Sequence, residues 1–127
     1  MWTIRWDENQ AASDSAEDVI EIINCIHCTY INRFPVIVQI ESNSKDEILI
    51  GVGNEQYSII DYFPVSQSYS MSPEGENEGD DIITFYLGDD ESEFYIKDTI
   101  KYDTALKILK SFLTDNTLLT EINWVID

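Results

Sequence analysis

The two cysteines and the only histidine of the chain lie together in Cys25-Ile26-His27-Cys28. A C-x-x-C pair can serve as a redox dithiol or as half of a zinc site. A structural zinc site would need two further ligands, and the one histidine already lies between the cysteines. A redox pair is expected to open a helix, whereas this one ends a helical pattern. We therefore interpret the pair as two reduced thiols.

His27 would also have to be the base of any serine or cysteine nucleophile. Its spacing places it at the margin of an apolar helix stripe, which favours a packed or hydrogen-bonded histidine over a catalytic one. The acids after Gly88 lack the alternating register of a calcium loop. The sequence predicts no catalytic residue, no cofactor and no metal, although a pair of carboxylates suited to glycoside hydrolysis is left open.

The carboxylates are concentrated in one region of the chain. No lysine, arginine or histidine occurs between Lys45 and Lys97, and this stretch carries thirteen of the 25 acidic residues in a chain of net charge −18. Like charges repel in the compact state, so a regional excess indicates a use outside the chain, most simply a basic partner. The same charge argues against direct binding to nucleic acid or to an anionic membrane. Acidity for solubility is the alternative.

The length of 127 residues predicts a single domain, 1–127, with one hydrophobic core. No apolar run approaches the roughly 20 residues of a membrane span. The N-terminal residues lack a basic region followed by an apolar one, which predicts a cytoplasmic protein.

Hydrophobic periodicity predicts strands at 2–6, 36–41, 47–52, 56–63, 82–87, 93–96 and 120–125. A capping box at Ser15 predicts a helix over 15–29, and a second helix is expected from Asp103 or Thr104 to Asn116. Residues 7–15 are predicted as a turn and 64–81 as one long loop. The expected fold is α+β, with a curved, mainly antiparallel sheet of about six to seven strands and two helices on one face.

The loop 64–81 and the turn 88–93 flank the strand 82–87, so we expect their acids to converge at one rim of the sheet. A negative rim with tyrosines suits fast and tight capture of a basic protein. The predicted partner-binding residues are Glu76, Glu78, Asp80, Asp81, Asp89, Asp90, Glu91 and Glu93, with Tyr69 and Tyr86 as anchors.

Several segments together suggest a family. They are ILIGVG at 48–53, YSIIDY at 57–62, FYLG at 85–88, ALKILKSFLT at 105–114 and INW at 122–124. This pattern resembles the first-numbered Imm family of immunity proteins from bacterial polymorphic toxin systems. The chain departs from it at 114–116, which reads Thr-Asp-Asn where the family often has Thr-Gly followed by a proline.

The resemblance implies a cytosolic antidote that is encoded beside a secreted toxin and binds its toxic domain, commonly a nuclease or a nucleic-acid deaminase with a basic cleft. Two alternatives are open. One is an acidic nucleic-acid mimic that inhibits another DNA- or RNA-binding protein, and the other is a small ligand-binding domain or enzyme. A homodimer through an exposed sheet edge is compatible with either.

Overall fold

A computed structural model describes residues 1–115 and 121–126 of the chain, and within them it contains two α-helices and nine strands. In chain order these are β1 (Trp2–Trp6), β2 (Asn9–Ser13), α1 (Ala16–Tyr30), β3 (Val36–Glu41), β4 (Glu47–Val52), β5 (Ile60–Phe63), β6 (Met71–Pro73), β7 (Ile82–Leu87), β8 (Asp90–Tyr95), a 3-10 turn (Ile96–Asp98), α2 (Tyr102–Asp115) and β9 (Trp124–Ile126). Neither α-helix in this part is long and apolar enough to cross a membrane.

The strands form one curved sheet in the order β2-β1-β3-β4-β5-β6-β9, with every pair along this path antiparallel. The hairpin β7–β8 joins from the side, through a parallel pairing of Tyr86 with Val36 in β3. The predicted α+β class is confirmed. The predicted strand number is too low, because β2 and β6 were not expected.

Both unexpected strands are short and polar. Residues 7–15 were predicted as a turn, but only Asp7 and Glu8 turn, and β2 then pairs with β1 over five residues. The predicted loop 64–81 contains β6, which pairs with β5 and β9. Strand β2 (NQAAS) has no apolar alternation and β6 (MSP) is too short to show one, so their pairing with neighbouring strands is not evident from the local sequence.

Several element boundaries differ from the prediction. The predicted turn 88–93 is confined to Gly88 and Asp89, because the strand predicted at 93–96 already begins at Asp90 and ends at Tyr95. The last strand, predicted at 120–125, is Trp124–Ile126. The predicted strand 56–63 is regular only from Ile60, and Ser58 before it makes an isolated bridge to Ile100. Helix α2 begins at Tyr102, before the expected cap. The predicted helix end at Asn116 and strand start at Thr120 lie outside the described residues.

Both helices pack on one face of the sheet, as predicted; we call this the helical face. Alternate residues of β3 and β4 point toward the helices: Val36, Val38, Ile40, Ile48, Ile50 and Val52. They are buried against Val19, Ile23 and Ile26 of α1 and Ile108, Leu109 and Phe112 of α2. The Ser15 hydroxyl accepts the Asp18 N–H at 3.3 Å, so the predicted cap of α1 is confirmed.

A second, smaller core covers part of the opposite face, which we call the back face. Phe85 of β7 is fully buried there against Ile37 and Ile59. Gly51 of β4 leaves the space for it, since a Cβ atom at Gly51 would lie 2.6 Å from the Phe85 Cε1. The Phe85 ring over Gly51 is thus the centre of the contact that holds the hairpin β7–β8 across the back of the sheet, and Ile83, Leu87 and Phe94 pack around it.

We expect Phe85→Ala to reduce the free energy of unfolding by about 3–5 kcal/mol, because it removes a buried ring and leaves a cavity. Ile82→Ala on the same strand is the matched control, since Ile82 is 53% exposed, and it should cost no more than about 1 kcal/mol. Urea denaturation measures both values. Equal losses in the two variants would show that the Phe85 contact does not hold the hairpin.

Candidate protein-binding surface

The hairpin β7–β8 turns one side toward the back face and the other toward solvent. Ile83, Phe85, Leu87 and Phe94 lie in or against the small core. Because side chains alternate along a strand and directly paired residues share a side, the remaining positions point outward. They are Ile82 opposite Tyr95, Thr84 opposite Glu93, and Tyr86 opposite Glu91. We call these six residues the hairpin face.

The predicted acids do not converge at one rim, and this expectation is wrong. Asp80 and Asp81 lie at the open end of the hairpin, where the Asp81 carbonyl accepts the Ile96 N–H at 2.9 Å. Asp89 and Asp90 lie at its turn, next to Leu87. A six-residue strand separates the two groups by roughly 20 Å. Because the two groups of acids precede and follow β7 in sequence, they lie at opposite ends of this strand.

Glu76 has a structural role in the segment before α2. Its Oε1 accepts the Lys101 N–H at 3.0 Å, and its own N–H donates to the Thr99 carbonyl at 2.9 Å. Asn77 next to it donates to the Thr99 hydroxyl at 2.8 Å. This part of the predicted loop is thus fixed by hydrogen bonds. Glu78, which follows, is exposed.

Most of the predicted acids are not neutralised by bases. Asp80 alone of the predicted eight makes an ion pair in the described part of the chain, with Lys97 at 3.9 Å between two exposed side chains. The other seven carboxylates are also exposed and lie farther than 4.0 Å from any described lysine or arginine side-chain nitrogen: Glu76, Glu78, Asp81, Asp89, Asp90, Glu91 and Glu93. Their charge is available to a partner.

The two predicted tyrosine anchors lie in different places. Tyr86 packs edge-on against Phe34, with ring centroids 5.4 Å apart, and is partly buried. Tyr69 lies near Tyr62 of β5, whose pKa is raised mainly by burial and then by the Asp46 carboxylate. The sequence prediction missed Tyr95, which is 49% exposed on the hairpin face. The period of two that it shares with Glu91 and Glu93 could have identified it.

Two further acids were also missed. Asp7 and Glu8 form the β1–β2 turn and line a shallow depression of about 280 Å³ together with Leu87, which precedes the β7–β8 turn. The tips of the two hairpins therefore border one depression, and Arg5 also lines it. Only the pairing of β1 and β7 along the same edge of β3 reveals this, and no local sequence signal shows it.

Two acids lie side by side on the back face, and the pKa of one of them is raised. Glu47 lies directly opposite Glu41 across β3 and β4. Burial and then the Glu41 carboxylate raise the pKa of Glu47, and Arg5 works against both. The acids on the hairpin turn and hairpin face are exposed instead, where water screens their repulsion.

Cys25 and Cys28 are both exposed, free thiols on α1. His27 between them packs, as predicted: its ring stacks on Tyr102 at 3.8 Å, and its Nδ1 accepts the Gly53 N–H at 2.9 Å. The Tyr102 hydroxyl in turn donates to the Asn24 side chain at 2.7 Å. Within the described ranges, no three histidine, cysteine or acidic side chains are grouped so that they could hold a metal ion.

A separate cleft of about 540 Å³ lies between Phe94 and the β5–β6 region. Asp61, Glu74 and Asp98 contribute carboxylates to its walls. The Glu74 carboxylate accepts the Asn123 side-chain N–H at 3.2 Å, so it also holds the approach to β9. A cleft of this size can hold a small molecule.

No protein-family model matches the chain, and no curated protein matches it. The resemblance to the immunity family stays a prediction from the sequence pattern.

The His27 site predicts a dependence of stability on pH. Burial lowers the pKa of His27, and the Glu55 carboxylate only partly opposes this. The unfolded chain then binds the proton more readily than the folded one, so stability is complete above about pH 6.5 and falls as the pH drops below it. The loss should reach about 1 kcal/mol, because a protonated Nδ1 cannot accept the Gly53 N–H.

Urea denaturation at pH 7.5 and 5.5, on the natural chain and on His27→Gln, measures this effect. The raised pKa of Glu47 acts in the opposite direction in both proteins, so their difference isolates His27. An equal pH dependence in the two proteins would contradict the assignment.

Proposed function

We propose that this protein is a non-enzymatic inhibitor of the immunity-protein kind, which acts in the bacterial cytoplasm on the toxic domain of a cognate toxin. The target we propose is a nuclease or a nucleic-acid deaminase with a basic cleft. One observation carries the proposal: exposed carboxylates without bases are concentrated on a hairpin that its own buried core fixes in place.

Charge supplies the first part of the recognition. A cleft that binds a polyanion presents lysines and arginines, and a surface with uncompensated carboxylates is attracted to it over about a Debye length, near 10 Å at 0.1 M salt. Such complementarity mainly raises the association rate. The proposed contact therefore centres on Asp89, Asp90 and Glu91 at the hairpin turn, with Asp7 and Glu8 beside them.

Apolar surface supplies the second part. Ile82 and Tyr95 lie opposite each other on the hairpin face and are 53% and 49% exposed. Large side chains of this kind, ringed by polar ones, are the usual anchors of protein interfaces. Of the residues predicted from sequence, Glu93 fits this surface directly, and Tyr86 contributes only its exposed part.

Fixed geometry supplies the third part. The hairpin face is the outer side of strands whose inner side includes the fully buried Phe85. Binding therefore does not have to order these strands, and the entropy cost of association is lower than for a free loop. We propose that inhibition is steric and electrostatic, with carboxylates lying where the substrate phosphates would lie.

Charge reversal at the hairpin turn tests this function. Asp89→Lys, Asp90→Lys and Glu91→Lys together should slow association with the toxin domain encoded next to this gene by about tenfold or more at low salt. They should also weaken the rescue of cells that express this toxin domain. Surface plasmon resonance and growth on co-expression measure the two effects.

A matched control reverses three exposed acids on other elements: Glu17 on α1, Asp103 on α2 and Glu121 before β9. It changes the net charge by the same amount and should alter the association rate much less. Equal effects of the two triple variants would overturn the hairpin as the contact. If the neighbouring genes encode no toxin and the bound protein is a host or phage nucleic-acid-binding protein, the mimic alternative holds instead.

A further inference from the structure

A groove runs between α1 and the edge strand β2, on the helical face of the sheet. It encloses about 670 Å³. Its apolar lining comes from Trp6 and Ala11 of the β1–β2 hairpin and from Ile22, Ile26 and Tyr30 of α1. Within the described residues, α2 packs on α1 and β4. At the β2 end of the helical face, the groove is therefore covered by α1 on one side and stays open on the other.

The groove is long, straight and bounded by two regular elements. At one end the Ser13 hydroxyl of β2 lies 3.4 Å from the Asp18 carboxylate of α1. At the other end the Tyr30 hydroxyl donates to Asp7 at 3.1 Å. Strand and helix therefore run antiparallel along it for roughly 15 Å. This length accommodates about five residues of an extended chain.

Strand β2 also offers hydrogen-bonding groups. It ends the strand order of the sheet, and in the described part it pairs with β1 alone. The two-residue turn makes Trp6 and Asn9 the first bonded pair, and bonded pairs then alternate. The outward N–H and C=O groups consequently belong to Gln10 and Ala12. An extended chain can pair with such an edge while its alternate side chains enter a neighbouring pocket.

The charge around the groove selects the kind of partner. Asp18 and Glu21 line it, and Asp7 and Glu8 stand at one end. Arg33 is the one described base in its lining, and its guanidinium lies over Tyr30, 4.8 Å from the ring centroid. A second copy of this chain would bring another −18 to the same place. An extended segment that alternates basic and apolar residues can place its apolar side chains against the lining, while the surrounding acids attract its basic side chains over a longer range.

We infer that this groove binds an extended, basic segment of another protein, which adds to β2 as a strand and places its apolar side chains between β2 and α1. The inference goes beyond the proposed function and does not depend on it, because the hairpin face lies on different strands.

The test uses the full chain, labelled with ¹⁵N, and a capped seven-residue peptide that alternates lysine and valine. A peptide of the same composition, with the lysines and valines in two blocks, controls for charge alone. The alternating peptide should shift the amide signals of β2 and of the α1 residues along the groove, and it should bind more tightly than the block peptide. Ala12→Pro removes one outward N–H at a solvent edge and should weaken its binding about fivefold.

Two matched pairs sharpen the test. Glu21→Lys should weaken binding about threefold, whereas Glu17→Lys, on the same helix but outside the groove, should change it less. Cys25 lines the groove and Cys28 does not, although both thiols are exposed. Saturating peptide should therefore slow the alkylation of Cys25 and leave that of Cys28 unchanged, as measured by mass spectrometry.

Several results would overturn the inference. They are equal binding of the two peptides, shifts confined to the β7–β8 hairpin, preference for an acidic peptide of the same pattern, or equal protection of the two cysteines. If Ala12→Pro unfolds the chain, the Glu21 and Glu17 pair and the cysteine comparison decide the question, since neither changes the strand.

Discussion

The contact between Phe85 and Gly51 is the constraint on which the rest of the arrangement depends. The Phe85 ring reaches Ile59 because residue 51 of β4 has no side chain. A Cβ atom at Gly51 would lie 2.9 Å from the Ile59 Cγ1. Only with the ring in place can β7 both pair with β3 and fold across the back face. The sheet thus acquires a second core, and the outer side of the hairpin becomes a supported surface. One close approach of a side chain to a glycine positions most of the unneutralised acids.

The same arrangement explains how the chain tolerates its charge. The helical face excludes charge almost entirely, since its buried cluster is aliphatic and aromatic. The acids are left to turns, strand edges and outward positions, where solvent weakens their repulsion. Where two acids do meet on the sheet, at Glu41 and Glu47, burial and then the neighbouring Glu41 carboxylate raise the pKa of Glu47. A concentration of charge this large is compatible with folding because the structure keeps it at the surface.

The sequence predicts the parts of the fold that follow from local pattern. The sequences of β3, β4 and both helices have strong apolar periods, and Ser15 is a recognisable cap for α1. The structure has these elements, with both helices on one face of the sheet. Strands β2 and β6 escaped prediction because their pairing with neighbouring strands is not evident from the local sequence. The candidate surface divides in the same way. Its acids are evident from composition, but their separation along β7, the hydrogen bond between Glu76 and Lys101, and the approach of Asp7 and Glu8 to Leu87 depend on contacts between distant segments.

The hairpin face and the groove along β2 are different surfaces, yet the acidic turn Asp7–Glu8 borders the groove and also lies near the tip of the β7–β8 hairpin. Asp7 accepts the Tyr30 hydroxyl at the end of the groove, and both residues line the depression that reaches Leu87. Long-range charge therefore attracts a basic partner to the two surfaces together and cannot choose between them. Short-range features must therefore distinguish the two surfaces. The hairpin face presents exposed side chains on strands that are already paired, whereas the groove presents free backbone groups beside an apolar channel. A folded basic cleft suits the first surface, because it brings its own rigid walls. An extended segment suits the second, because only an unpaired strand can supply the missing hydrogen bonds.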